Sequence, residues 1–321
     1  MTDGMKIAII GAGMAGLACG EQLAGQGHRI ALFDKGRGPG GRMATRRMEE
    51  AGETLQFDHG AQYFTARDPH FVRAVSQWEA QGVVARWPEA GADAYVGTPG
   101  MNAPIRAMAA AQEVHFSVRI ESFEPAPSGW ILQGDGAPQD SFDAVVMAVP
   151  AEQAAPLLQP HLPDFAAKAA SVTSAPCWTM MASLAGTTEA RDCLRPGGVI
   201  GWAARNSAKP GRTAPLSGGE NWVVQATPDW SREHLELEAA HIIPLMLEAL
   251  EQELGALPPI RAVAAHRWRY AMVPRNAAGA LWDSAAGIGA CGDWLAGPRV
   301  ENAYLSGTAL AARIGAGPSP G

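Results

Sequence analysis

The period of the apolar positions changes several times along the chain, and each change predicts an element. Residues 6–10 are short and continuously apolar, as in a parallel strand buried on both faces. A helix follows to about Gly25, and residues 28–33 predict a second strand. Over 68–81, Phe71, Val72, Val75 and Trp78 recur at helical spacing, with Pro69 suitably near the start. Residues 83–87 read as a short strand and 89–94 as a polar loop; the run 97–102 leads a helix through Ala111. Strands are predicted at 114–123, 130–133 and 143–149, separated by Pro/Gly turns. The first two suit a small antiparallel insert, and the third suits another strand of the parallel sheet. From Pro150 to about Ala265 the chain departs from this unit, with strands at 171–184, 199–203 and 222–227. One long amphipathic helix, or two, covers 230–253. Residues 205–220 read as a polar loop, 287–291 as a last strand before a closing helix to about Ile314, and 317–321 as a frayed tail.

The turn after the first strand carries Gly11, Gly13 and Gly16 as G-x-G-x-x-G, with Met14 and Ala15 between the last two. The first glycine permits a tight turn, the second lets backbone approach a pyrophosphate, and the third lets helix pack closely on strand. Asp34 ends the second strand at the distance expected of a carboxylate that holds a ribose hydroxyl. Strand, glycines, helix, strand and acid in that order point to a dinucleotide site. A second glycine run follows, Gly36, Gly38, Gly40 and Gly41, then Arg42 and Thr45. A nicotinamide dehydrogenase has no evident use for it.

A chain of 321 residues permits two domains sharing one cofactor crevice. The net charge of -7 argues against nucleic acid or an anionic membrane as partner, while a local arginine pocket could still receive a phosphorylated substrate. Cys19, Cys177, Cys193 and Cys291 are scattered, so neither a metal site nor a disulfide framework is expected, and a reducing compartment fits better. No secretory leader pattern and no apolar run of membrane-spanning length is visible, so the expected location is cytoplasmic.

The run Asp34-Lys35-Gly36-Arg37-Gly38-Pro39-Gly40-Gly41-Arg42 resembles the second glycine motif of flavoproteins in the amine oxidase superfamily. With Phe57-Asp58-His59-Gly60-Ala61-Gln62-Tyr63-Phe64-Thr65, the stretch resembles more narrowly the renalase-like flavoproteins of bacteria. The resemblance implies an α/β fold: a Rossmann-type, glutathione-reductase-like FAD-binding domain and a second domain of mixed β-sheet plus helices for substrate. It divides the chain into FAD-binding segments 1–68, 97–155 and 266–321 and substrate segments 69–96 and 156–265. The segment 88–97 is short for that family.

By the same resemblance, FAD would be met by Gly11, Gly13, Met14, Ala15, Gly16, Asp34, Lys35, Gly40, Gly41, Arg42, His59, Gly60, Ala61 and Gln62. Near the end, Gly292 and Asp293, then Arg299, Val300, Glu301 and Ala303, resemble the second FAD motif. Its aspartate would meet the ribityl chain or pyrophosphate. Its helix would point its amino end at the flavin, where reduced flavin gathers negative charge. Glu301 is equally suited to satisfying backbone donors. No cysteine in that motif suggests a covalent link, so FAD is expected to be non-covalent.

Flavin supplies the redox chemistry, and the protein supplies binding and orientation. A flat donor can be held by aromatic walls and a few polar contacts. The blocks that resemble renalase-like sequences offer Gln62, Tyr63, Trp178, Trp202, Asn206 and Trp268, each tryptophan having packing in the core as its alternative. Arg205, Arg212 and Arg269 are candidate phosphate contacts or surface salt links, and His59 and His266 structural hydrogen-bonders. Renalase-like enzymes oxidise the 2- and 6-dihydro isomers of NAD(P)H to NAD(P)+, with molecular oxygen as acceptor and hydrogen peroxide as product. Members of the broader superfamily often carry a lysine that holds water beside flavin N5. The lysines here are Lys6, Lys35, Lys168 and Lys209, none after 209, which weighs against a general amine oxidase. The other readings are an amine oxidase, a desaturase of carotenoid or porphyrin type, or a flavin-binding sensor or scaffold without catalysis. Oligomeric state is left open.

Overall fold

The computed structural model describes residues 4–216 and 218–316. The tail at 317–321 lies outside the described residues. The chain opens as β1 (Lys6–Ile10), α1 (Met14–Gly25) and β2 (Arg29–Asp34), with β1 and β2 parallel and Ile9 opposite Leu32. Ile7, Ala8 and Ile9 are wholly buried, so β1 is covered on both faces, as its unbroken apolar run requires. A hairpin of β3 (Thr45–Glu50) and β4 (Glu53–Asp58) turns through Ala51 and Gly52, both at positive φ. Next come β5 (Phe64–Thr65), α2 (Pro69–Ala80), β6 (Val84–Arg86) and β7 (Ala94–Gly97), the strands pairing in the order β5-β7-β6. Asp68 caps α2 by accepting from the amide of His70, and Pro69 stands in the first turn.

After α3 (Ala103–Ala110), the strand expected at 114–123 is two. Ser117 takes a φ of 60° and ends β8 (Val114–Phe116), which joins the parallel sheet beside β2. The sequel, β9 (Arg119–Ala126), pairs with β10 (Gly129–Asp135), and β11 (Ser141–Phe142) completes that antiparallel insert. β12 (Ala144–Met147) returns to the parallel sheet beside β1.

Two helices not anticipated from the sequence follow, α4 (Ala151–Leu158) and α5 (Pro163–Ala170). Ala151, Ala154, Leu158, Ala166 and Ala169 pack with Val145 and Met147 of the parallel sheet. The departure to the second lobe therefore begins beyond the expected division at 155, because these alanine-rich faces need the first sheet to cover them. It begins at β13 (Ala175–Leu184), followed by β14 (Cys193–Leu194), β15 (Ile200–Arg205) and β16 (Glu220–Ala226). The stretch 230–253 is two helices, α6 (Pro228–Glu233) and α7 (Ala239–Leu254), before β17 (Ile260–Met272). These five strands form an antiparallel sheet in the order β14-β15-β16-β13-β17. β17 pairs with β13 along its whole length and so runs through the division expected at 265.

The chain closes with β18 (Leu281–Asp283), β19 (Ile288–Ala290) and α8 (Val300–Gly315), giving a six-stranded sheet in the order β18-β19-β12-β1-β2-β8. All its pairs are parallel except β18 with β19. Chain connections leave β1 in opposite directions toward β2 and β12, which creates a crevice at the carboxyl ends of these strands. α8 lies directly on α1, where a side chain at Gly307 would collide with the carbonyl oxygen of Ala15. α1 and α8 thus cover one face of the first sheet together. No helix among the described residues is long and apolar enough to cross a membrane.

Candidate active site

At that crevice the glycines divide into two kinds. A Cβ on Gly11 would stand 2.6 Å from the carbonyl oxygen of Ala148, and one on Gly16 would collide with the carbonyl oxygen of Gly11. Those two serve close packing. A Cβ on Gly13 would meet no described atom within 4 Å, and one on Gly41 would meet only the Cα of Gly13, at 3.8 Å. The two glycine motifs therefore face a shared open space. α1 starts there with no side-chain cap and no acid in its first turn, which leaves its first amides available to an anion. Asp34 ties the two loops together, accepting from the amide of Ala12 at 2.8 Å and from that of Gly36 at 2.7 Å. Each carboxylate oxygen has further lone-pair capacity for a ribose hydroxyl.

The closing segment enters the same place. Arg42 donates from two guanidinium nitrogens to the two oxygens of Asp293, at 2.8 and 2.6 Å. The backbone of Arg42 carries the next turn, with the amide of Ala61 donating to its carbonyl at 2.8 Å, and no side chain fits at Gly60 beside it. An uncapped helix start, a gap between glycines and a held arginine fit the pyrophosphate of a dinucleotide, so these residues suit FAD.

Beyond the turn lies a buried charge cluster. Asp58 is fully buried and accepts from Thr45 Oγ1 and the amide of Met101, both at 2.8 Å. Its other oxygen meets Arg212, with Nε at 3.1 Å, and Lys209 Nζ at 3.4 Å. Burial alone would raise the Asp58 pKa, but Lys209 and Arg212 outweigh it and hold the carboxyl below its usual value. Two cations against one carboxylate leave one charge over, and burial pushes Lys209 down to about 8 despite Asp58. Lys209 also donates to Gln62 Oε1 at 3.1 Å, while Gln62 Nε2 donates to the carbonyls of Asp58 and Gly60 at 2.5 and 3.0 Å. Gln62 thus links the turn against Arg42 to a lysine from the second lobe.

Lys209 Nζ stands 5.2 Å from the ring centre of Trp87, which meets Trp202 edge-on at 6.4 Å. Trp202 in turn lies 5.3 Å from Tyr63 at a tilt of 34°, and the guanidinium of Arg195 covers Trp202 at 4.5 Å. The indole N–H groups of Trp87 and Trp202 are buried with no hydrogen-bond partner among the described residues. Buried donors are seldom left so, and a bound polar group would satisfy them. A separate open groove of about 680 Å³, lined by Pro39, Thr98, Pro99, Ala103, Arg106 and Phe116 among others, shares none of these residues.

Comparison with known proteins settles the family. Residues 86–315 match the model for flavin containing amine oxidoreductases, and residues 9–78 that for NAD(P)-binding Rossmann-like domains. The chain belongs to the flavin containing amine oxidoreductases. Its fold is similar to that of a candidate protoporphyrinogen oxidase from Exiguobacterium sp. 255-15, with TM-score 0.72 and 12% identity over 97% of this chain and 99% of that one. It is similar also to a putrescine oxidase bound to putrescine (TM-score 0.69, 14% identity, 97% and 99% covered). Cyclohexylamine oxidase from Brevibacterium oxydans IH-35A aligns likewise (TM-score 0.68, 13% identity, 98% and 99% covered). At such identities the likeness is one of fold alone. The 4,4'-diapophytoene desaturase of Staphylococcus aureus (strain Newman) is 54% identical over 39 residues, a match spanning 12% of this chain and 8% of that enzyme.

In this FAD-dependent oxidoreductase, several sequence-expected residues lie together and several do not. Gly13, Gly41, Arg42, Asp34 and Asp293 converge, and so do Gln62, Tyr63 and Trp202. Trp268 donates its indole N–H to the carbonyl of His59 at 2.8 Å. The His59 ring packs against both His266 and Trp268, which also touch each other, and burial, then His266 and Arg46, push its pKa down to about 4. Glu301 accepts from the amides of Arg67 and Asp68 at 2.5 and 2.7 Å, so it satisfies backbone donors. Arg299 donates to Thr65 Oγ1 at 2.9 Å, and Val300 and Ala303 pack on the first-lobe core.

Other expectations are corrected. Lys35 is exposed and donates to Gln153 Oε1 at 3.0 Å. Trp178 is core: its indole donates to the carbonyl of His234, and it packs inside the second sheet. Asn206 uses its amide on backbone, accepting from the amide of Asp58 at 3.2 Å and donating to the carbonyl of Gln56 at 2.9 Å. Arg205 pairs with Asp192 and Glu220, Arg212 with Asp58, and Arg269 with exposed Glu236, so each of these three already holds a carboxylate. Sequence reasoning passed over Asp58, Trp87 and Arg195 and discounted Lys209. A lysine is rarely buried, and this one lies in a segment whose composition reads as surface loop.

Proposed function

We propose that the chain is an oxidase holding FAD non-covalently, in which Tyr63 and Trp202 form the wall for a small flat donor. One observation carries this reading: Gln62 bonds both to the turn on Arg42 and to Lys209 of the second lobe, beside two unpartnered indole N–H groups. Bound flavin supplies a two-electron acceptor, which oxygen reoxidises to give hydrogen peroxide. The chain's own part is to orient the donor against an aromatic surface and exclude water. Cys291, just before the closing motif, is wholly buried, which supports a non-covalent cofactor.

Two donor classes compete. The renalase-like blocks support the 2- and 6-dihydro isomers of NAD(P)H, which become aromatic NAD(P)+ by losing hydride and need no strong base. Family membership and the amine-oxidising and desaturating relatives give broader support to an amine or a desaturation substrate. Anaerobic mixing of the FAD-loaded protein with a panel of dihydronicotinamide isomers and simple amines, followed at the flavin absorbance band, separates them. Bleaching by a 2-dihydro isomer with little response to ordinary NADH supports the first class, and bleaching by an amine alone overturns it. A flavin that nothing reduces leaves a sensor or scaffold.

A further inference from the structure

The polar groups around the Tyr63–Trp202 wall are strongly biased toward donation. Arg195 is exposed, stacks on Trp202 and also lies 6.0 Å from the ring centre of Tyr63. Its hydrogen bonds go to the carbonyl of Ala90 at 3.0 Å and to Tyr63 Oη at 3.4 Å, and among the described residues it has no carboxylate partner. The acid nearest in sequence, Asp192, is held by Arg205. At the other end of the wall, the carboxylate beside Lys209 is shared with Arg212. The acceptor oxygen of Gln62 is occupied by Lys209 itself. Between these cations stand the indole N–H groups of Trp87 and Trp202, buried and unpartnered among the described residues.

We propose that the substrate carries an anionic group, a carboxylate or a phosphate, which Arg195 receives against the face of Trp202. The inference rests on reading Tyr63 and Trp202 as the substrate wall. Nη2 of Arg195 is taken by Ala90 and Tyr63, which leaves Nη1 and Nε to donate charge-assisted bonds to such a group. A cationic substrate end would meet Arg195 and Lys209, with Asp192 and Asp58 already paired and exposed Glu89, beside Ala90, as the remaining acid.

The test is equilibrium binding to the FAD-loaded protein without turnover, read as perturbation of the flavin absorbance band and of tryptophan fluorescence. Four probes share one ring: benzoate, phenyl phosphate, benzamide and benzylamine. At least one anion is expected to bind more tightly than benzamide, with benzylamine weakest. Arg195→Ala lowers affinity for that anion about ten-fold, the worth of a charge-assisted hydrogen bond, and leaves benzamide within about two-fold. Arg195→Lys, which keeps the charge and loses the planar array of donors, falls between. The anion that loses more identifies the group as carboxylate or phosphate. Benzylamine binding tightest, neither anion binding, or Arg195→Ala moving all four probes alike overturns the proposal. Loss of the oxidase reading is a separate result, a flavin that no donor reduces, and it leaves these affinities unchanged.

Discussion

Arg42 and Asp293 stand 251 residues apart in sequence and share two hydrogen bonds, at 2.8 and 2.6 Å. The arginine follows the second glycine run, and the aspartate follows the last strand of the first sheet. Their pairing holds a guanidinium beside the gap between Gly13 and Gly41 before any ligand arrives. Asp293→Ala frees that guanidinium and removes an acceptor from the crevice. FAD retention, measured by fluorescence titration, is expected to weaken ten-fold or more, since a charge-assisted bond contributes about 1.5–3 kcal/mol. Arg42 is a third exposed, so unfolding of the flavin-free protein should move by no more than about 1 kcal/mol.

The two kinds of glycine make a sharper pair. Gly13→Ala places a methyl in open space at a φ of -83°, which any residue tolerates. The flavin-free protein should fold with unchanged thermal stability and lose affinity for FAD, because the methyl occupies ground that the pyrophosphate needs. Gly16→Ala drives a methyl into the Gly11 carbonyl and should destabilise the fold itself, by about 1–3 kcal/mol. Melting curves with and without FAD distinguish the two. Equal loss of flavin-free stability in both variants would show that the gap at Gly13 is not ligand space.

The first lobe was legible in the sequence because its signals are local. A strand, three glycines, a helix and an acid within about thirty residues seldom occur in that order outside a dinucleotide-binding turn. The second lobe was legible only as strands and helices. Its sheet brings Trp202, Lys209 and Trp178 onto elements whose facing depends on register. Trp178 and Trp202 look alike in sequence, yet one is spent on the carbonyl of His234 and the other lies under Arg195. The same limit applies to Ser117, whose positive φ splits an apparently continuous strand, and to Lys209, whose burial depends on Asp58 about 150 residues earlier.

Those two tryptophans can be separated experimentally. Trp178→Phe removes a made hydrogen bond and should cost about 1 kcal/mol beyond the shared change in volume, with little effect on KM. Trp202→Phe removes an N–H that bonds no described residue, so its stability loss should be smaller, while donor KM rises several-fold. Urea unfolding gives the first comparison, and steady-state rates with the best donor of the reduction panel give the second. A KM effect at Trp178 equal to that at Trp202 would remove the assignment of the wall.

The buried cluster predicts a pH dependence whose sign follows from its surplus charge. Lys209 is pushed from 10.5 to about 8 in the folded protein, mainly by burial. Between those values the unfolded chain holds a proton that the folded chain has released, so stability rises with pH across that window. Below pH 8 both states are protonated, and the cost of burying the extra cation is fully present. Lys209→Met removes the titrating group and leaves Asp58 balanced by Arg212. It is expected to match or exceed the wild type in urea unfolding below pH 8, and the wild type should gain on it as pH climbs toward 10.5. Asp58→Asn does the opposite: it strands two cations with no buried carboxylate and should cost about 3–5 kcal/mol. A difference between wild type and Lys209→Met that stays flat from pH 8 to 10.5 would mean that Lys209 keeps its ordinary proton affinity, and that the cluster is more hydrated than its burial indicates.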